Sequence, residues 1–166
     1  RLKVVPVCCC TGHTSTVTHL DWSADSSMLM TNCAAHEILV WSASSGKKLA
    51  HAARALATVA WATWTCYLGF PCMGIWPEGA DATHINSCHV SGDHSVLLTA
   101  DDKGSLKLFN APCVVEGAPY VEGSGHCSGI TSARILSGPV AAAVSSGGAD
   151  RAVMLWRIVR GSGGRQ

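Results

Sequence analysis

Three residues near the end of the chain carry the side chains of a hydrolytic triad, namely His126, Ser146 and Asp150. A histidine can accept the proton of a serine hydroxyl while a carboxylate orients the imidazole ring. A serine nucleophile on a sharp turn usually lies in a G-x-S-x-G motif, and no such motif surrounds Ser146. A buried turn carboxylate also needs hydrogen-bond donors, which histidine and serine supply. We therefore interpret the three residues as a structural network and predict no catalytic residue.

Cysteine and histidine are frequent enough to raise the question of a metal site. Nine cysteines occur, three of them in the run 8–10 ahead of His13. Structural zinc sites usually repeat a C-x₂₋₄-C pair, and no such pair of pairs occurs here. His84, His89 and His94 are five residues apart, which places successive side chains on opposite faces of a strand. The sequence predicts no metal and no cofactor, and most cysteines are expected to be buried free thiols.

The elements that position these side chains recur three times along the chain. Each copy contains short apolar, β-branched runs separated by turns rich in Gly, Asp and Ser. The copies close on Trp41, Phe109 and Trp156, and the first and third open on Gly-His. The 47 residues from Phe109 to Trp156 are close to the roughly 40–45 of a WD-repeat blade. The pattern predicts an all-β, WD-repeat β-propeller of about three blades.

A WD blade contains a buried network that links the Gly-His imidazole, a strand hydroxyl, a turn aspartate and the closing tryptophan. The third copy places its candidates for this network at His126, Ser146, Asp150 and Trp156. The first copy retains His13 and Trp41, but Ala35 occupies the turn position. The second copy has acidic residues at its turn and no Gly-His. We expect the third copy to be the most regular blade.

Counting strands divides the chain into five segments. The predicted segments are residues 1–10, an outer strand of a preceding blade; 11–51, a WD blade; 52–122, an atypical WD blade with a Trp-rich insert; 123–159, a final WD blade without its outer strand; and 160–166, a flexible tail. Closed propellers have about 4–8 blades. We therefore expect a partial, C-terminal segment of a larger propeller, whose remaining blades would be its partners.

The composition narrows the function classes. Hydrophobic residues make up 48% of the 166 residues, charged residues make up 14%, and the net charge is +1. A balanced charge argues against a nucleic-acid-binding surface. No apolar run reaches the roughly 18–20 residues that cross a bilayer. We predict neither a nucleic-acid nor a membrane partner.

The insert is the most distinctive part of the sequence. Its alternating Trp61, Thr63 and Thr65 predict a strand. The run W-A-T-W-T-C-Y-L-G-F at 61–70, followed by G-I-W-P-E-G at 74–79, resembles the C-terminal propeller of the echinoderm microtubule-associated protein-like family. The resemblance extends over residues 11–159, from the first Gly-His to the last Trp-Arg-Ile.

This resemblance implies a non-catalytic scaffold that associates with microtubules and binds tubulin through its propeller. It implies a cytoplasmic, cytoskeletal location, and it is compatible with the ciliary axoneme. The alternative is a WD-repeat adaptor in another complex, without tubulin contact. Interface aromatics and loop charges are the candidate partner surface, although packing between blades and simple solvation are the competing interpretations. The candidates are Trp64, Tyr67, Trp76, Glu78, Asp81, Asp101, Asp102 and Lys103.

Overall fold

The computed structural model describes residues 2–50, 56, 58–76, 84–136 and 141–159. The strands are β1 (Val17–Trp22), β2 (Met28–Cys33), β3 (Ile38–Ser42), β4 (Ile85–Val90), β5 (Val96–Asp101), β6 (Ser105–Asn110), β7 (Tyr120–Ser124), β8 (Ile130–Leu136), β9 (Ala142–Gly147) and β10 (Val153–Arg157). A 3₁₀ helix covers Phe70–Ile75. No helix in the described part of the chain has the length and apolarity to cross a bilayer.

The strands form three antiparallel sheets, each built from consecutive strands. Blade 1 has the order β1-β2-β3, blade 2 has β4-β5-β6-β7, and blade 3 has β8-β9-β10. The central strands β2 and β5 are buried along most of their length, because sheets or the insert cover both of their faces. These blades are part of a WD-repeat β-propeller, and the predicted all-β fold class is confirmed.

The first strand of every blade carries an irregularity at the same point. The pairing shifts around Thr18 in β1, around Asn86 in β4 and around Thr131 in β8. Such a bulge bends a strand and turns a side chain away from the ladder. The three bulge side chains line one cavity of about 470 Å³, together with His19 and Tyr67. The repeat is therefore visible in backbone detail, beyond the strand order.

The outer strand predicted over residues 1–10 is not observed. Described residues 2–10 form no strand, and most of their side chains are exposed. A strand needs a neighbouring ladder for its N–H and C=O groups. The segment lies against a turn of blade 1, where the Cys8 sulfur is 3.9 Å from the Ala43 carbonyl oxygen.

The insert also lacks the strand that its alternation predicts. Trp61 makes an isolated β-bridge to Ser23 at the end of β1. Thr63 and Thr65 then leave the sheet, because they hydrogen-bond to the side chain of Asp21 instead of a neighbouring strand. Of the alanine-rich residues that precede the insert, 51–55 and 57 lie outside the described part of the chain.

Two apolar clusters hold the blades together. The first joins blade 1, the insert and blade 2, and its buried members include Met30, Trp64, Cys66, Cys88 and Leu97. The second joins blades 2 and 3 through small and branched side chains such as Ala100, Ile130 and Ala133. Burial raises the pKa of the Cys66 and Cys88 thiols. These sulfurs therefore pack as small, neutral apolar groups.

Asp21 fixes the insert against blade 1. Its side chain is fully buried, and both of its oxygens accept hydrogen bonds from the insert. Thr63 Oγ1 donates to one oxygen at 2.7 Å, while the N–H groups of Thr65 and Cys66 both donate to the other at 2.8 Å. A buried carboxylate is stable only when it is hydrogen-bonded in this way.

Two hairpins of the propeller use the same five-residue turn, Ser-x-Asp-x-Ser. It occurs at residues 23–27 between β1 and β2 and at 91–95 between β4 and β5. In each turn the aspartate accepts the hydroxyl of the first serine, at 2.6 Å in the first turn and 2.5 Å in the second, and the N–H and hydroxyl of the last serine. These bonds, the serine hydroxyl foremost, lower the pKa of Asp25 and Asp93 to about 2.

We expect Asp21→Asn to lower the free energy of unfolding by about 2–4 kcal/mol. The neutral amide would replace the charge-assisted hydrogen bonds of the carboxylate with weaker ones, and its NH2 group would force the Thr63 hydroxyl to turn from donor to acceptor. Urea denaturation followed by tryptophan fluorescence measures the loss. The exposed Glu116→Gln makes the same chemical change and should stay within about 0.5 kcal/mol of the parent. Equal effects from the two substitutions would contradict the anchoring role.

The two aspartate turns should make the protein sensitive to acid. Because the pKa of Asp25 and Asp93 in the folded protein is about 2, below the ordinary aspartate value of 3.8, their contribution to stability is present above about pH 4 and is lost as the pH falls towards 2. Unfolding midpoints measured between pH 5 and 2 should therefore fall less steeply in the Asp25→Asn, Asp93→Asn double variant than in the parent. Parallel pH profiles would show that these turns make no such contribution.

Candidate functional site

The polar network of blade 3 lies between its histidine and its closing tryptophan. His126 Nδ1 donates to Asp150 at 2.6 Å, and His126 Nε2 lies 2.8 Å from Ser145 Oγ. Trp156 Nε1 donates to the same hydroxyl at 2.7 Å. The histidine bond lowers the pKa of Asp150. The four side chains therefore tie two strands and two turns of one blade together.

Ser145, and not the predicted Ser146, is the hydroxyl of this network. Successive side chains of a strand point to opposite faces, so the neighbouring serine faces away from His126. Ser146 Oγ instead lies 3.0 Å from Thr131 Oγ1 on β8. Two adjacent serines made the correct one ambiguous, because a one-residue change of phase moves a side chain to the other face.

Blade 1 builds a related network from different residues. His13 Nε2 lies 2.6 Å from Thr31 Oγ1, which accepts a hydrogen bond from Trp41 Nε1 at 2.7 Å. Ala35 contributes no carboxylate, but Glu37 reaches the site and lies 3.3 Å from His13 Nδ1. Bonds from the Thr14 N–H and from a thiol lower the pKa of Glu37 to about 2. The sequence signal for Glu37 was its longer side chain two residues beyond the expected position.

Neither network has the accessibility that a nucleophile requires. Ser145 is 1% exposed, and the His126 side chain is fully buried. The serine hydroxyl already contacts both His126 and Trp156, so it has no free direction towards a substrate. The resemblance to a hydrolytic triad is therefore one of composition, and the arrangement acts as a brace within the blade.

The insert tryptophans and tyrosine that were candidate anchors lie in the interior. Trp64 is 8% exposed and Tyr67 is 6% exposed, so neither can contact a partner in this conformation. The Trp64 ring packs so closely on Gly69 that a Cβ there would lie 2.2 Å from a ring carbon. Trp76 is half-buried and meets the Tyr67 ring edge-on, with centroids 6.0 Å apart. These aromatic rings are therefore used for packing between the blades.

Other apolar side chains of the insert are exposed in their place. Phe70 and Met73 stand three residues apart on the 3₁₀ helix, where such positions eclipse, and they are 41% and 59% exposed. The loop at 113–115 packs on this helix, with the Val115 backbone against Gly74, and the side chains of Val114 and Val115 are also exposed. We call these four residues the insert patch. Its signal in the sequence is Pro71, which starts the short helix that turns Phe70 outward.

The charged candidates divide between structural and exposed positions. Asp101 is buried, and its carboxylate accepts the N–H groups of Lys103 and Ser105, which closes the β5–β6 turn. Asp102 and Lys103 are exposed at the tip of that turn, and Asn86 donates to Asp102 at 2.7 Å. Asp101 is therefore unsuited to partner contact. Glu78 and Asp81 lie outside the described residues.

The histidines at 84, 89 and 94 serve separate surroundings. His84 lies near Asp102, with 3.7 Å between ring nitrogen and carboxylate. His89 Nδ1 accepts the Ile135 N–H from blade 3 at 3.2 Å. His94 lines a small cavity beside the insert. The three side chains lie in different surroundings, and the described contacts do not bring them to one site.

Ser145→Ala should destabilise the protein by about 1–3 kcal/mol, because it leaves the buried N–H of Trp156 and the ring of His126 without their shared partner. Ser146→Ala should cost less than about 1 kcal/mol, because its hydroxyl lies at an exposed contact with Thr131. Chemical denaturation of the two adjacent variants compares them directly. A larger loss from Ser146→Ala would contradict the network described here.

Known proteins share this sequence over most of its length. Residues 2–158 match the family model of the echinoderm microtubule-associated protein second beta-propeller. Echinoderm microtubule-associated protein-like 2 of Rattus norvegicus is 42% identical over 149 residues, which cover 90% of this chain and 23% of that protein. Echinoderm microtubule-associated protein-like 4 of Xenopus tropicalis is 41% identical over 150 residues, which cover 90% of this chain and 16% of that protein. The chain thus spans less than a quarter of these relatives.

Solved structures agree at the level of the backbone. The computationally designed Ika4 protein gives a TM-score of 0.53 at 14% identity, covering 95% of this chain and all of that one. The designed Ika8 protein gives 0.54 at 22% identity, covering 89% of this chain and 47% of that one. These likenesses concern the fold alone. The family match and the 40%-range identities show that this chain belongs to the echinoderm microtubule-associated protein family, as part of its second β-propeller.

Proposed function

We propose that this chain is a non-catalytic, tubulin-binding part of a microtubule-associated scaffold that acts on the cytoplasmic cytoskeleton. One observation carries the proposal: residues 2–158 match the second propeller of a family whose name refers to microtubules. The relatives from rat and Xenopus carry the same description in their names. The same tubulin-binding function could operate on the microtubules of the ciliary axoneme.

The internal polar networks support a binding role rather than catalysis. Each network joins side chains within one blade, and the hydroxyl at the centre of the blade 3 network is enclosed, since Ser145 is 1% exposed. A rigid propeller of this kind presents loops and short helices as its variable surface. The binding specificity therefore depends on the exposed loops and short helices. Among these, the insert has the most distinctive sequence.

The insert patch is the surface that we assign to tubulin. Phe70, Met73 and Val115 are exposed apolar side chains held on a short helix and its packed loop, which fixes their geometry before binding. Protein interfaces concentrate their energy in a few apolar and aromatic anchors surrounded by a polar rim. A prearranged patch loses little conformational entropy on binding.

The turn at 102–103 is a second, charged contact within this proposal. Lys103 is exposed at the tip of the β5–β6 hairpin, and the backbone beneath it is fixed by Asp101. Charges at an interface rim mainly change association rates and salt dependence. We therefore expect Lys103→Glu to alter the rate of tubulin association more than its dissociation.

Size-exclusion chromatography with unpolymerised tubulin dimer tests the proposal. The folded chain should elute with tubulin as a discrete complex. Met73→Glu should weaken that complex about tenfold or more, because a charge would be buried among apolar contacts. Val153→Glu makes an equally polar change at a 75% exposed position of β10 and should leave the complex intact.

The outcomes separate the candidate functions. A folded chain that does not co-elute with tubulin would overturn tubulin binding and favour the adaptor function in another complex. Co-elution that survives Met73→Glu but fails with Val153→Glu would move the contact from the insert patch to blade 3. Circular dichroism of each variant establishes that the fold is retained.

A further inference from the structure

Blade 1 brings three metal-ligating side chains together. The ring nitrogen of His13, the sulfur of Cys33 and a carboxylate oxygen of Glu37 all lie within 4.8 Å of one another. His13 Nδ1 is 3.3 Å from Glu37 Oε2, and Cys33 Sγ is 3.1 Å from the same oxygen. This cluster is separate from the insert patch and does not depend on tubulin binding.

The equivalent place in blade 3 has no room for an ion. Cys33 stands two residues after the network hydroxyl of Thr31, and Gly147 stands two residues after that of Ser145. A Cβ at Gly147 would lie 1.8 Å from an Asp150 oxygen, so the aspartate fills that space. The His126–Asp150 contact is correspondingly short, at 2.6 Å. Blade 1 thus replaces a closed hydrogen bond with a wider pair and an added thiol.

The two distances to Glu37 Oε2 suit tetrahedral coordination. Zinc binds histidine nitrogen and carboxylate oxygen at about 2.0–2.2 Å and thiolate sulfur at about 2.3 Å. Two ligands on a tetrahedral ion then stand about 3.3 Å apart for nitrogen and oxygen, and about 3.5 Å apart for sulfur and oxygen. The observed 3.3 Å already fits, and the observed 3.1 Å requires a movement of a few tenths of an ångström.

The surrounding hydrogen bonds orient the ligands. The Thr31 hydroxyl can donate to the Leu39 carbonyl at 3.4 Å, and its oxygen, which accepts the Trp41 N–H at 2.7 Å, has a second lone pair that can accept His13 Nε2–H at 2.6 Å. That arrangement leaves the Nδ1 lone pair of His13 directed at the cluster. Glu37 is held by the Thr14 N–H at 2.9 Å. Its side chain is 30% exposed, which leaves a direction open for a water ligand.

We propose that His13, Cys33 and Glu37 bind a divalent zinc-class cation, with water as the fourth ligand. Three protein ligands with an open fourth position are an arrangement that zinc adopts. Binding releases the proton of the Cys33 thiol to solvent, so affinity rises with pH. The site differs from the cysteine run at 8–10, which lacks a second pair of ligands, and it departs from the prediction that the chain binds no metal.

Cobalt(II), which reports thiolate ligation by a sulfur-to-metal charge-transfer band, is the first probe. The full chain is prepared without a histidine tag and with its less protected cysteines, at 8, 9, 10 and 127, changed to serine. One equivalent of cobalt should produce the band, and one equivalent of zinc should abolish it. Cys33→Ser in this background should remove the band and weaken zinc binding by about 100-fold or more. The matched Cys113→Ser removes a buried thiol outside the cluster and should change neither result.

Two further variants distinguish a metal site from a purely structural network. Glu37→Gln preserves the side-chain shape and an acceptor for Thr14, and it should retain the sulfur band while weakening zinc binding. Thr31→Val removes the partner that orients His13 and should weaken zinc binding about 10–100-fold. The proposal is overturned if the parent binds no stoichiometric zinc, if Cys33→Ser keeps the band, or if Glu37→Gln binds zinc with unchanged affinity. Near-ultraviolet circular dichroism verifies the fold of each variant.

Discussion

The buried carboxylate of Asp21 is the constraint on which the packing of this chain depends. A charge removed from water must be met by hydrogen bonds, and the first strand of blade 1 cannot supply them from its own sheet. The insert supplies them with two main-chain N–H groups and threonine hydroxyls. Because the insert is fixed there, Trp64 and Cys66 can fill the space between blades 1 and 2. The contact between these blades is thus mediated by a loop whose position a single side chain specifies.

The same blade plan tolerates different side chains when the geometry is compensated. Blade 3 uses a short aspartate beside a glycine, whereas blade 1 uses a longer glutamate beside a cysteine. In both blades a tryptophan donates to the hydroxyl of the central strand, at 2.7 Å. The tryptophan–hydroxyl bond is therefore the constant part of the network, and the histidine–acid pair is the adaptable part. Chemistry can vary at that pair without loss of the sheet.

Local patterns predicted the strands well, because alternating apolar residues and Ser-Asp turns act over a few residues. The closing Trp41 and Trp156 and the histidines of the two networks were also identified from local motifs. Contacts between distant parts of the chain were not predictable in the same way. The alternation from Trp61 to Thr65 indicated a strand. No local pattern shows that the distant Asp21 accepts hydrogen bonds from this segment and holds it out of a sheet. Likewise, the burial of Trp64 depends on the absence of a side chain at Gly69.

Strand phase and side-chain length account for the remaining differences between the predicted and the observed network residues. Ser145 and Ser146 are chemically identical, and only the register of β9 against β10 decides which one faces His126. Glu37 replaces the missing aspartate because one additional methylene compensates for its later position. The insert patch was not predicted from the sequence, because partner contact was assigned to the large aromatic rings, which are largely buried. Phe70 and Met73 face outward on a helix too short to give a periodicity signal.

The buried cysteines are distributed unevenly between the two apolar clusters, so their reactivity reports which blades separate. Cys33, Cys66, Cys72, Cys88 and Cys113 are buried in blade 1 or at its junction with the insert and blade 2. The apolar cluster between blades 2 and 3 contains no thiol among the described residues. A thiol reagent applied in a short pulse would therefore label the interior when the first two blades part. The reagent would add no label when only the third blade detaches. Mass spectrometry of the labelled protein would therefore distinguish these two kinds of partial unfolding.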